Sequence, residues 1–442
     1  MLNVHGRDLA AVFPLTTEAA DDGLRIGGCD VAGLVRRFGT PLYIFDETTL
    51  RSQLAGFRDE FRTRYGDVLP LYASKAYIGF ALLRILREEG YGLDVVSGGE
   101  LAFARAVDFP AESIYFHGNN KSPQELAEAL STGVGRYVVD NFTELETLDR
   151  LAGERGLRAN VVIRVSPGID PHTHGKTTTG IVDSKFGFTI ANGQASEALK
   201  QAAAAPNLDL IGVHSHLGSP IFELEPYAEA AEVVLDFVAA HRDVAGFDFR
   251  ELSPGGGFAI QYLGDVPPPT PADYAASIVP AICSALDARG LGRPRLFVEP
   301  GRAIVGRAGV AVYTVGARKD IPGVRTYVSV DGGMADNIRP ALYDSQYEVA
   351  VVNRLSDPAA ETITLAGKYC ESGDILARDV ALPRLQTGDL VAMPAAGAYA
   401  PSMASNYNLA LKPAIVLVRD GEAKVIRRRE TYEDLMRSEI DG

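Results

Sequence analysis

The sequence predicts an α/β fold: a parallel (β/α)8 barrel of the TIM type with a second, mostly β, barrel-like domain. Three observations carry that expectation. Short, nearly continuous apolar segments alternate with amphipathic ones from residue 71 to residue 299, as in parallel strands buried on both faces. The alternation repeats eight times, over about the 250 residues typical of a closed eight-stranded barrel. Beyond residue 303 the helical periodicity gives way to short β-rich runs. A doubly wound open sheet is the alternative topology for the first part.

Taken in order, residues 1–23 show no clear periodicity and are expected to be irregular and frayed at the start. Asp30 is placed to cap a short helix that Gly39 ends. Residues 41–45 read as a strand, and 48–65 as a helix with Leu50, Leu54, Phe57 and Phe61 on one face. Barrel strands are expected at 71–75, 92–97, 114–118, 136–140, 161–165, 211–216, 250–254 and 295–299. The helices between them fall near 78–89, 98–107, 122–132, 142–155, 192–204, 223–241 and 272–289. Loop 167–185, with His172 and His174, is too long for a plain strand-to-helix turn, and long barrel loops on that face usually serve the site. The proline-rich stretch 266–271 is a stiff connector, with Thr270 as helix cap and Pro271 in the first helical position. Further β runs are expected at 310–315, 326–330, 347–352, 362–365, 390–393 and 414–418, and Asp420-Gly421 is a hairpin turn. The domains are then 1–45, a segment joining the β domain; 46–302, the barrel; and 303–442, the β domain.

Composition narrows the function. Lys and Arg number 43 against 57 Asp and Glu, a net charge of −14 with no long basic run, which argues against nucleic acid as a partner. Cys29, Cys283 and Cys370 are far apart and form neither a disulfide framework nor a metal-like spacing, which fits a reducing cytosol. The first 23 residues lack a basic start and apolar core, so no secretory signal is expected. No apolar run approaches the ~18 residues of a membrane span, so no membrane partner is expected and the cytoplasm is the expected location.

In a barrel, chemistry sits at the C-terminal ends of strands. The stretch Leu71-Tyr72-Ala73-Ser74-Lys75 reads as a buried strand ending on a lysine. Desolvation there lowers a lysine pKa and makes the amine nucleophilic, as a Schiff-base lysine requires; read alone, Lys75 is more simply a surface residue past a strand end. Strand two carries Asp94, and strand three ends at His117-Gly118-Asn119. His214 and His216 on strand six share a face if the strand is regular; a metal pair is one reading, and a packed His214 beside a His216 stacked on a planar ligand is the other. Ser219 and the turn Gly255-Gly256-Gly257 can present a hydroxyl and backbone N–H groups to a phosphate, although three glycines are more often a tight turn. Glu299 ends an apolar strand and needs a cationic or proton-donating partner, either a pyridinium nitrogen or Arg302. In the β domain, Arg339 with Tyr343 suits a carboxylate. Cys370 beside Glu371 is a candidate acid or nucleophile, and Tyr399 lies in a third polar loop.

Five motifs in this order, Tyr72-Ala73-Ser74-Lys75-Ala76, His214-Ser215-His216-Leu217-Gly218-Ser219, Gly255-Gly256-Gly257, Glu299-Pro300-Gly301-Arg302 and Cys370-Glu371-Ser372-Gly373-Asp374, resemble those of the fold-type III pyridoxal-phosphate decarboxylases. Asp183-Ser184-Lys185-Phe186-Gly187-Phe188 and Arg339-Pro340-Ala341-Leu342-Tyr343 add to the likeness, which runs from about Gly39 to Lys412. The resemblance implies pyridoxal 5'-phosphate as cofactor, carried by Lys75, with His216 on its ring and Glu299 at its pyridine nitrogen. Asp94, Ser219, Gly255, Gly256, Gly257, Pro300, Gly301, Arg302 and Tyr399 are implied cofactor contacts. Arg302, Arg339, Tyr343, Glu371 and Tyr399 are implied substrate contacts, Arg302, Arg339 and Tyr343 at a distal carboxylate and Glu371 at a distal amine. Cys370 is the implied proton donor, reaching the site from the second chain of a homodimer, and loop 172–185 is the implied mobile loop. No metal is implied. The implied reaction turns meso-2,6-diaminopimelate into L-lysine and carbon dioxide, the last step of lysine biosynthesis. D-ornithine or lysine decarboxylation, and a non-catalytic homologue, are the alternatives.

Overall fold

The structure is a computed structural model describing residues 2–20, 23–170, 179–180, 183–264 and 267–440. His172, His174 and much of the implied mobile loop lie outside the described residues. The chain forms two compact units. One is Leu54–Ala259 with Pro269–Gly301; the other is Met1–Gln53, Ile260–Pro268 and Arg302–Gly442.

The first unit is a parallel eight-stranded barrel. Its strands are β1 (Val68–Ala73), β2 (Gly92–Val95), β3 (Ile114–Phe116), β4 (Arg136–Val139), β5 (Ala159–Ser166), β6 (Leu208–His214), β7 (Phe247–Ser253) and β8 (Arg295–Val298). Neighbours run β4-β3-β2-β1-β8-β7-β6-β5, and β4 also pairs with β5, which closes the ring and leaves no free edge among these eight. Leu71, Tyr115, Val138, Val162, Ile211 and Phe297, from six of the strands, form one buried layer, none more than 2% exposed. Removing such side chains from water contributes roughly 1.5–3 kcal/mol each before entropy is counted.

The covering helices follow local signals. The helix Pro123–Thr132 starts with a reciprocal cap between Ser122 and Glu125 and ends at Gly133 in the left-handed conformation. The helix Pro271–Ala288 starts at Thr270 and Pro271, as its sequence predicts, with Asp273 completing the cap. One boundary differs from the sequence reading. β1 stops at Ala73, and Ser74–Ala76 form a 3-10 turn, so Lys75 lies one turn beyond the strand rather than on it.

The second unit is built on a mostly antiparallel sheet. Its strand order is Ile375–Leu382, Glu361–Ala366, Arg325–Val330, Gly309–Ile321, Leu42–Asp46, Ala414–Arg419 and Glu422–Arg427, and Leu390–Met393 also pairs with Gly309–Ile321. Leu42–Asp46 is buried throughout and lies between a parallel and an antiparallel neighbour. Asp420 and Gly421, both at positive φ, turn the last hairpin as expected. The start of the chain is not frayed. Val4, Val12 and Phe13 are fully buried against Ile44, Val310 and Val416, and Asn3–Val4 pairs with Arg7–Asp8. The stretch around Arg339, expected as a loop, is a short helix, Arg339–Tyr343.

Candidate active site

The C-terminal ends of the barrel strands bring one polar cluster together. Glu299, just past β8, is its centre and is 6% exposed. His214 Nε2 lies 3.1 Å from its carboxylate, the Ser253 hydroxyl donates to it at 3.2 Å, and His117 Nε2 is 3.6 Å away. Burial pushes the Glu299 carboxyl up, but the imidazoles of His214 and His117 outweigh burial and bring it below the ordinary carboxylate range. An ionised carboxylate only accepts hydrogen bonds, so Nε2 of His214 carries the proton. Burial holds His117 and His216 well below the usual imidazole value.

A chain of contacts links Glu299 to the lysine. His117 Nε2 is also 3.9 Å from Asp94 Oδ1, and Asp94 Oδ2 is 3.7 Å from Lys75 Nζ. Asp94 is buried at the end of β2, and burial raises its carboxyl to about 6 against the pull of Lys75. The lysine itself differs from the sequence expectation: its side chain is 47% exposed, because the 3-10 turn lifts it out of the strand. Its chemical partner is a buried carboxylate, not an apolar wall.

The glycine turn lies beside this cluster. The Gly256 N–H donates to His216 Nδ1 at 3.2 Å, which fixes the imidazole. Gly255 N–H goes to Ser253 Oγ at 3.0 Å, whereas Gly257 N–H has no hydrogen-bond partner among the described residues. A Cβ at Gly256 would stand 2.2 Å from the Glu299 carbonyl, and one at Gly257 2.4 Å from that of Gly218, so only glycine allows these approaches. Ser219 follows Gly218, and the bridge between Ile221 and Phe258 ties its segment to the glycine turn. Pro300 accepts the Ala73 N–H at 3.2 Å, which anchors the segment through Gly301 next to the lysine turn.

The remaining predicted residues belong to the other unit. Arg302 and Arg339, 6% and 5% exposed, both donate to the Tyr262 hydroxyl, at 2.7 and 2.9 Å. Arg302 also lies over the Tyr399 ring, 4.8 Å from its centroid. Arg339 donates to Tyr347 at 2.5 Å and makes no ion pair among the described residues. Tyr343 is four residues on in the same short helix, on the same side. Cys370 and Glu371 are not part of this group of contacts: they are exposed on the loop after Glu361–Ala366. Asn408 Oδ1 accepts the Cys370 N–H at 3.1 Å, and Tyr407 donates to its carbonyl at 3.3 Å. Asp374 holds the same loop by accepting the N–H groups of Met334 and Tyr369.

Sequence reading gave no role to His117, Ser253, Tyr262 or Tyr347. His117 stands at a strand end, which was its one signal. β6 ends at His214, so the regular strand that a His214–His216 metal pair presupposes stops before His216; among the described residues, His117, His214 and Glu299 form a group of three whose donor atoms lie within 4.8 Å of one another.

The barrel cluster fits pyridoxal phosphate. Asp94 Oδ1, His117 Nε2 and His214 Nδ1 are buried without a hydrogen-bond partner, a costly arrangement that a polar ring beside them relieves. Gly257 offers an unused N–H, and Lys75 an accessible amine. Residues 49–306 match the family described as pyridoxal-dependent decarboxylase, pyridoxal binding domain. The chain is 45% identical to a curated diaminopimelate decarboxylase of Bacillus subtilis, over 94% of this chain and 95% of that one. It is also 45% identical to one of Synechocystis, over 97% and 92%. The crystal structure of diaminopimelate decarboxylase from M. jannaschii in complex with L-lysine superposes with a TM-score of 0.90, at 34% identity, covering 97% of this chain and 98% of that one. Barrel, lysine and buried carboxylate thus define a pyridoxal-phosphate-dependent carboxy-lyase. Within that class, the chain belongs to the diaminopimelate decarboxylase family.

Proposed function

We propose that this enzyme decarboxylates meso-2,6-diaminopimelate to L-lysine and carbon dioxide, the last step of lysine biosynthesis, as a cytoplasmic homodimer. The observation that carries the substrate assignment is Arg339, a buried guanidinium whose hydrogen-bond partners among the described residues are phenol oxygens. A buried cation wants an anion, and a diamino dicarboxylate has a second carboxylate to supply one.

Lys75 would hold the cofactor through its ε-amine, and His216, its ring fixed by Gly256, would stack beside it. The ionised Glu299 keeps a proton on the pyridine nitrogen. Bound pyridoxal phosphate supplies an electron-accepting ring for the pair left behind when carbon dioxide departs. Gly257, Ser219, Gly301 and Tyr399 take the phosphate side, with Gly255, Gly256 and Pro300 shaping the backbone there. Arg302, Arg339 and Tyr343 hold the distal carboxylate, and Glu371 the distal amine. The Cys370 thiol, contributed by a second copy of the chain, returns one proton to the α carbon. No helix among the described residues is long and apolar enough to cross a membrane, which is compatible with the cytoplasm.

Release of labelled carbon dioxide from a panel of meso-diaminopimelate, D-ornithine and L-lysine tests the assignment. Release from diaminopimelate at least a hundredfold faster than from the others is expected. Turnover of a monocarboxylic diamine with diaminopimelate inert would overturn it.

A further inference from the structure

Tyr262 follows the glycine turn in a segment without periodic signal, yet its phenol joins two buried arginines. Its oxygen accepts one hydrogen bond from Arg302 and one from Arg339. A phenol oxygen has two lone pairs, and both are then occupied. The Arg339 guanidinium carbon also lies 4.8 Å from the Tyr262 ring centroid, and Tyr347 packs edge-on against that ring at 5.4 Å while binding Arg339 itself. Two guanidinium groups repel each other, and a shared neutral oxygen dipole draws them together. What remains of the phenol is its proton, a donor left over for a third acceptor. A carboxylate has the acceptor capacity to engage both guanidinium groups and that proton at once.

Resting on the substrate reading above, we infer that Tyr262 is a positioning residue. It clamps Arg302 and Arg339 into one receptor for the substrate's distal carboxylate and so sets the preference for a dicarboxylic over a monocarboxylic amino acid. The clamp has a pH signature. Burial raises the Tyr262 pKa, but Arg302 and Arg339 outweigh it and bring the phenol below its ordinary value. Among the described residues, these two arginines and Tyr347 are the charged and titratable groups that contact it. Ionised, Tyr262 supplies the receptor with its own anion and competes with the substrate.

The test is Tyr262→Phe in the holoenzyme. The variant should keep the visible absorption of the lysine-bound cofactor at neutral pH. Its KM for meso-diaminopimelate should rise at least tenfold with kcat within about threefold, while spectrally titrated affinity for 1,5-diaminopentane, a diamine with no carboxylate, changes less than twofold. The wild-type KM for diaminopimelate should rise at alkaline pH, and that rise should be absent in the variant. Unchanged KM, equal weakening toward 1,5-diaminopentane and diaminopimelate, or loss of the cofactor absorption would each overturn the inference. A wild-type enzyme that binds 1,5-diaminopentane as well as diaminopimelate would instead defeat the substrate reading, and the clamp with it; that outcome is told apart because it appears before any substitution is made.

Discussion

At the scale of single residues, Asp94 shows how the site is built at the expense of the fold. Its carboxyl, raised to about 6, lies above the value of an exposed aspartate, so the folded chain binds this proton more tightly than the unfolded chain does. The contribution of Asp94 to stability is therefore greatest below about pH 4 and declines as pH rises toward 6, by roughly 2–3 kcal/mol at 1.36 kcal/mol per pKa unit. Asp94→Asn should melt a few degrees higher than wild type at pH 7 in the cofactor-free protein, coincide with it at pH 4, and lose turnover. A lower melting temperature at pH 7 would show that the contact with Lys75 outweighs burial. The types of residue at this site, amine, carboxylates, imidazoles and glycines, were legible in the sequence because each stands at the end of an apolar run. His117 and Tyr262 were not given roles. Their importance arises from partners on other segments, Glu299 for one and two arginines for the other, and no local spacing encodes such a meeting.

At the scale of elements, the eight barrel strands were readable because strands buried on both faces are almost uninterrupted apolar runs. The strand Ile375–Leu382 was missed for the opposite reason. It is an edge strand with exposed Arg378 and Asp379 at its middle, and Asp379 takes a positive φ, so its pattern is interrupted where the pairing register shifts. The helix Arg339–Tyr343 is little more than one turn, too short to display a period. The turn after β7 is the element with the least tolerance. Gly256→Ala would drive a methyl group into the Glu299 carbonyl and push apart the backbone that fixes His216. Overpacking of this kind costs roughly 1–3 kcal/mol. Cofactor affinity, followed by dialysis and absorption, should fall more than tenfold in this variant; retention equal to wild type would show that the turn yields freely.

At the scale of the molecule, the proposed pairing of two chains makes a distinct demand. Lys75→Ala and Cys370→Ala should each be nearly inactive alone. Mixed under conditions that exchange subunits, they should regain up to about a quarter of wild-type activity, the statistical yield of intact sites in random dimers. No recovery despite demonstrated exchange would place both groups in one chain. The second unit carries another consequence. Leu42–Asp46 hydrogen-bonds to Gly309–Ile321 on one side and Ala414–Arg419 on the other. A ribosome delivers this greasy ribbon early and its last neighbour hundreds of residues later. During that interval the nascent ribbon exposes two unsatisfied edges while the barrel residues between are still emerging. Translation halted before Ala414 would therefore leave a product whose strand Leu42–Asp46 is still half bare, a natural client for chaperones and a seed for aggregation.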